Sequence, residues 1–402
     1  MSTHPPALPI AELETIRPAF QPNVTLLRLR SADGLVGLGE AFFAAGAVEA
    51  YLHEQVAPVL LGLADPAPER VSALLTPYVG FQGAGVETRA LGAVDLALWD
   101  LLGRRAGLPV VDLLGGAVRE RVPVYNTCAG PGYVSLSSRQ HSSNWGLDGS
   151  RYDDLRAFLE QPAALARELA AEGLTGMKVW PFDTAAEGSS GTAILAGDLD
   201  RGLAVVQAIR EAVPAMRVMV ELHGLWNLGA ATTICRALGP FAPYWVEDPI
   251  RPDAIDALAR LRQAVDVPIA TGETVVGRRG FLPLLQRGAV DIVTADVQWT
   301  GGLTEARRIA TLADTFGVPI APHDCTGPVT FAACVHLVVS QRNGLIQETV
   351  RAFQRTWYGE LVEGLPDIVD GHVAPTREPG LGVRLAPGLT DRGDVTRRAS
   401  RL

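Results

Sequence analysis

From Val122 to Thr349 the chain repeats one pattern: a short apolar run, then a stretch with helical spacing. The runs are residues 122–126, 176–180, 217–222, 244–248, 268–273, 291–296, 318–323 and 345–349. Helical periodicity marks 155–172, 200–213, 229–239, 253–264, 303–316 and 328–340. Strands that alternate with helices run parallel, because each crossover returns the chain to the same end of the sheet. Eight such runs in about 230 residues predict a closed barrel rather than an open sheet. Residues 128–153, rich in Ser, Gly and Asn, are too long for an ordinary connection and predict a substrate-side loop or lid.

The flanks read differently. Residues 21–40 form the arms of a hairpin around Ala32-Asp33-Gly34, and helical patterns follow at 46–61, 66–78 and 86–105. The last of these ends at Gly107 ahead of Pro109, a helix stop. An α+β unit is therefore expected over residues 1–121, with the barrel over 122–364. The turn-rich tail, 365–402, is expected to return to the N-terminal unit.

Charge narrows the partners. The chain holds 35 basic and 44 acidic residues, a net charge of −9, which argues against nucleic acid and anionic membranes. Its N-terminus lacks a basic start followed by an apolar stretch, and no apolar run approaches the roughly 20 residues of a membrane span. Cys128, Cys235, Cys325 and Cys334 show no CxxC spacing, as expected of free thiols in a reducing compartment. A cytoplasmic location follows as an expectation.

The ionisable residues fall in register with the strands. Glu221, Glu247 and Glu273 close three consecutive runs at intervals of 26 residues. Asp296, His323 and Glu348 continue the series at 23, 27 and 25. A single strand-end Glu is commonly a solvated rim residue, but six in register ring the catalytic end of a barrel. Three carboxylates on adjacent strands repel unless a cation joins them, and oxygen-only ligands favour Mg²⁺ over Zn²⁺. A carboxylate substrate can then bind an acidic protein through that ion.

The motifs ELHG (221–224), WVEDP (245–249), TGET (271–274), ADVQWTGGLTEA (295–306), APHDCTGP (321–328) and IQE (346–348) stand in this order at barrel spacing. With them the chain resembles the enolase superfamily, specifically its mandelate racemase/muconate lactonizing group, along nearly its whole length. The resemblance implies a modified TIM barrel, (β/α)₇β, with an N-terminal α+β capping domain completed by the C-terminal tail. It implies Mg²⁺ held by Glu221, Glu247 and Glu273, although relatives more often carry Asp at the first position. It makes His323 the base that removes a proton beside a carboxylate, oriented by Asp296, and gives Glu348 a hydrogen bond to the substrate carboxylate. Relatives of the group are often homo-oligomers, and the same is expected here.

The second strand separates the reactions. Racemases of the group carry Lys-x-Lys, and here the segment is Lys178-Val179-Trp180. Lys178 matches the first lysine, whereas indole in Trp180 accepts no proton from carbon. His223 lies two residues past Glu221 and points to the same side if the strand continues. ELHG resembles the Asp-x-His-Gly of acid-sugar dehydratases in the group, where this histidine helps a hydroxyl leave. The expected reaction is dehydration of an aldonate or aldarate to a 2-keto-3-deoxy acid. A racemase, epimerase or cycloisomerase is the alternative, with His223 and His323 as two bases, and a non-catalytic sugar-acid sensor is the reading outside enzymes. Trp180, Trp299 and the loop carrying Phe42 and Phe43 are expected at the substrate.

Overall fold

The computed structural model describes residues 9–76, 83, 85–135, 137 and 139–402. The N-terminal unit is an antiparallel sheet of β1 (Ile10–Pro18), β2 (Val24–Ser31) and β3 (Val36–Phe42). β2 and β3 are the expected hairpin arms. β1 is an additional strand whose charged residues hide its period, since Glu14 is buried and ion-paired with Arg28 and Arg397. The strand Val395–Arg401 pairs with β1 from Pro18↔Val395 to Glu12↔Arg401, so the tail completes this sheet. Helix Val86–Ala106 lies on the sheet where β3 has no side chains: a Cβ on Gly37 or Gly39 would collide with the carbonyls of Ala97 and Ala93.

The barrel strands are β4 (Val122–Thr127), β5 (Gly176–Val179), β6 (Arg217–Glu221), β7 (Trp245–Glu247), β8 (Ile269–Thr271) and β9 (Ile292–Val293), each parallel to the next. β10 (Gln347–Thr349) returns to pair with β4. Residues 318–323 fill the remaining place only through single bridges, Val293↔Ile320, Asp296↔His323 and Ile320↔Gly344. Pro319 and Pro322 lack the N–H donors a regular ladder needs there. The expected capped barrel is the fold observed.

One layer of side chains fills the barrel beneath the site: Tyr125, Met219, Trp245, Ile292, Ala321 and Ile346, with Ala270. Five of them lie two residues before a site residue (Tyr125 before Thr127, Met219 before Glu221, Trp245 before Glu247, Ala321 before His323, Ile346 before Glu348) and Ile292 lies four before Asp296, on the same side as the pleat requires. Glu273 breaks the count, because Gly272 at φ 142 interrupts the alternation after Thr271.

Several helices depart from the expected bounds. The stretch 155–172 divides into Asp154–Glu160 and Pro162–Ala171, since Pro162 can supply no helical N–H. The stretch 46–61 is interrupted by a wide turn at Leu52–Val56 before Pro58. The helix expected at 66–78 runs Pro68–Leu75, and residues 77 and 78 lie outside the described ones. Asp183–Ser189 and Gly277–Gln286 are additional helices, the second masked in the sequence by Gly277, Gly280 and Pro283. No helix among the described residues is long and apolar enough to cross a membrane.

Candidate active site

β6 and β7 end on Glu221 and Glu247, and Glu273 follows β8. Oxygens of these three carboxylates lie within 4.8 Å of one another. Glu221 Oε2 and Glu247 Oε1 are buried with no hydrogen-bond partner among the described residues. Burial pushes the Glu247 carboxyl up to about 8, despite Lys178 beside it, and also raises Glu273. Lys178 Nζ lies 3.5 Å from Glu221, 3.2 Å from Glu247 and 3.0 Å from Glu348. One ammonium among four carboxylates leaves the cluster negative, so these residues fit a divalent cation with oxygen ligands.

Glu348 is held by Thr127 Oγ1 and by the Asp324 N–H at 2.7 Å. Burial alone would raise its carboxyl, but Lys178 and His323 outweigh it and hold it at about 2. The donor that Glu348 sets in place is Lys178, held protonated by the carboxylates even against burial.

Two histidine–aspartate pairs reach the same cavity. His323 Nδ1 lies 2.8 Å from Asp296 Oδ2, and its Nε2 is 3.2 Å from Glu273. Asp296 is fixed in turn by the Trp299 N–H at 2.7 Å. Burial opposes charge on His323, but Glu273, Glu348 and Asp296 together raise its pKa well above the usual value. A cation among the carboxylates would remove part of that effect. His223 Nδ1 lies 2.8 Å from Asp183 Oδ2, and Gln140 donates to the same oxygen at 3.2 Å. Against burial, Asp183 and Glu221 raise His223 to about 9. β6 does not continue to His223: the chain turns left-handed there (φ 49), its N–H donates to Glu221 at 2.7 Å, and this turn delivers the ring.

The cavity has a volume of about 300 Å³. His223, His323, Lys178 and Glu273 contribute to its lining, with Trp180 and Trp299. Trp180 packs against Tyr133 and Phe158 and forms a T-shaped pair with the His223 ring, 5.7 Å between centroids. Phe42 corrects an expectation. It shares the buried side of β3 with Glu40 and is 1% exposed, whereas Phe43, at φ 71, swings to the cavity wall. Asp183 and Arg89 belong to the site without having been expected, whereas Tyr133 and Gln140 come from the expected substrate-side loop. The 128–153 loop supplies Tyr133, Val134 and Gln140 to the wall.

Fold and site together define a capped parallel barrel whose strand-end carboxylates can surround one cation. Residues 161–389 match the enolase C-terminal domain-like family, and residues 11–115 match the mandelate racemase/muconate lactonizing enzyme N-terminal domain. The chain belongs to this mandelate racemase/muconate lactonizing enzyme family of the enolase superfamily. It is 30% identical to a D-galactonate dehydratase from Ralstonia nicotianae, covering 94% of this chain and 93% of that protein. It is also 30% identical to a D-gluconate dehydratase from Thermoproteus tenax, covering 89% and 67%. Among solved structures, an enolase of the mandelate racemase subgroup from Agrobacterium tumefaciens superposes with a TM-score of 0.87 at 38% identity, covering 98% of this chain and 99% of that one.

Proposed function

We propose that the protein dehydrates a sugar acid, removing the proton at C2 and the hydroxyl at C3 to leave a 2-keto-3-deoxy acid. The observation that carries this is the pair of histidine–aspartate dyads lining one cavity beside three clustered carboxylates. The names of the dehydratase relatives support the same reaction class.

Mg²⁺ held by Glu221, Glu247 and Glu273 is the proposed ion, and when bound it supplies positive charge that attracts the substrate carboxylate and acidifies the carbon beside it. With Nδ1 donating to Asp296, His323 uses Nε2 to take the C2 proton. Lys178, set by Glu348, faces the negative charge that develops on the substrate carboxylate. The C3–O bond then breaks, and His223 gives a proton from Nε2 so that the hydroxyl leaves as water. The resulting enol ketonises. Trp180 and Tyr133 form an apolar wall beside His223 that limits water there.

Because both histidines line the cavity, a two-base epimerisation is the competing reading. A panel of aldonates and aldarates incubated with Mg²⁺ in deuterated water, followed by proton NMR, separates the two. Keto-acid formation supports dehydration. Deuterium at C2 with inversion and no keto acid replaces it with epimerisation, and no change in any acid sugar sinks both. Enzyme stripped with EDTA is expected to lose turnover and regain it with added Mg²⁺; full turnover without any divalent ion would remove the metal from the scheme.

A further inference from the structure

The cationic groups on the cavity wall differ in what they already hold. Lys178 is shared by three carboxylates, His223 is paired with Asp183, and His323 with Asp296 and Glu273. Arg89 is the lining cation with no carboxylate partner among the described residues. It comes from the capping helix Val86–Ala106, and its guanidinium sits 4.5 Å over the Trp299 ring and 5.6 Å from Phe43. One hydrogen bond, Nη1 to the Phe42 carbonyl at 2.9 Å, fixes its place. The other donors of its planar fork have no protein acceptor among the described residues. Burying this cation is unfavourable and pushes its pKa downward, a cost that the charges of Asp296 and Glu273 offset only in part because neither carboxylate touches the guanidinium. An anion delivered by the ligand removes that cost.

The geometry points to Arg89 as a clamp for a second carboxylate, so that the substrate is a dicarboxylic sugar acid, an aldarate, rather than an aldonate. The inference rests on the sugar-acid reading above and adds the far end of the molecule to it. The near carboxylate belongs at the strand ends, with Glu221, Glu247 and Glu273, and the far one under the cap, where Arg89 and Trp299 meet. A guanidinium presents two parallel donors that match a carboxylate in the bidentate mode, and stacking on an indole keeps that fork flat and oriented. A cavity of about 300 Å³ is at the lower end of small-molecule sites, suited to a short chain held at both ends.

Adipate and hexanoate have six carbons each, differ in one terminal carboxylate, and carry no hydroxyl to eliminate. Their binding therefore reports on Arg89 whether or not the protein is a dehydratase, and keto-acid formation tests that reading separately. In calorimetric titrations of the Mg²⁺-saturated protein, wild type is expected to bind adipate more tightly than hexanoate by on the order of tenfold or more. In Arg89→Met the ratio is expected to fall to about twofold or less, as one carboxylate loses its charge-assisted bonds. Arg89→Lys keeps a charge but loses the fork, so an intermediate ratio is expected, and it carries the test should the methionine variant not fold. A wild-type ratio near one, or a ratio unchanged in both variants, overturns the inference.

Discussion

His223 and His323 are the same side chain with the same kind of partner, so the different roles proposed for them must come from what else touches them. His323 Nε2 faces Glu273, one of the three clustered carboxylates, whereas the His223 ring packs against Trp180 and is tied to Asp183, which also accepts from Gln140. His323→Asn is expected to lower both C2-proton exchange and turnover by about 10²–10⁴-fold, because no acceptor remains. His223→Asn is expected to keep exchange with retained configuration while losing keto acid, since His323 can return the proton to the face it left. Proton NMR in deuterated water reads both, and normal exchange in His323→Asn would move the base elsewhere. Asp183→Asn removes the carboxylate that orients His223; turnover is expected to fall by about tenfold or more with exchange largely kept, by the logic that an orienting partner supports general acid catalysis. If exchange and turnover fall together, Asp183 serves the fold and not His223. The strand-end series was legible because barrel spacing and the two-residue pleat expose it. Asp183 and Arg89 were not, because nothing local marks their meeting with His223, 40 residues away, or with Trp299 on another unit.

At the scale of elements, the cap is fastened to the barrel by carboxylates that cap barrel helices from outside. Glu40, on β3, accepts from the Val329 N–H at 3.1 Å, the Thr330 N–H at 3.2 Å and the Thr330 hydroxyl at 2.6 Å. These are first-turn donors of helix Pro328–Ser340, which its own Gly327 cannot satisfy with a side chain. Asp95, on the cap helix, does the same for Leu303–Thr315 by accepting from the Thr304 N–H at 2.9 Å. Glu40→Ala leaves two buried N–H groups and a hydroxyl without an acceptor and is expected to cost on the order of 2–4 kcal/mol. Glu40→Gln keeps one acceptor oxygen and is expected to cost less. Urea unfolding checks both, and an alanine variant within about 0.5 kcal/mol of wild type would mean that water replaces the carboxylate. The helices themselves were readable from their periodicity, and so was the hairpin. This fastening was not, because a Glu in a strand gives no sign of which distant helix end it will meet. Prolines account for two further departures: Pro162 divides one helix, and Pro319 with Pro322 reduces a barrel strand to isolated bridges.

For the whole molecule, His336 joins three parts of the chain at one point. It lies in helix Pro328–Ser340, takes the Val111 N–H on Nδ1 at 3.1 Å, and has Nε2 at 3.3 Å from the Leu381 carbonyl. Those contacts require a neutral ring, with a proton on Nε2 and a lone pair on Nδ1. Burial pushes its pKa down from the ordinary 6.5 to about 4, with the Leu381 carbonyl pulling weakly the other way. The sign follows from proton uptake. Between these values the unfolded chain binds the proton and the folded one does not, so stability is full above about 6.5 and is lost as pH falls toward 4. From about pH 7.5 to about pH 5 this one residue is expected to remove about 2 kcal/mol. Glu40 and Asp95, both raised to about 7 by burial, act in the opposite sense and lose stability as pH rises, so the wild-type profile alone does not isolate His336. His336→Gln does, because it fills the same place with an amide that does not titrate. Urea midpoints at the two pH values, taken for both proteins, should show wild type losing about 2 kcal/mol more than the variant on acidification. Equal losses would mean that the ring is already protonated in the folded protein, and that the junction of cap, barrel and tail is held by something other than a neutral His336.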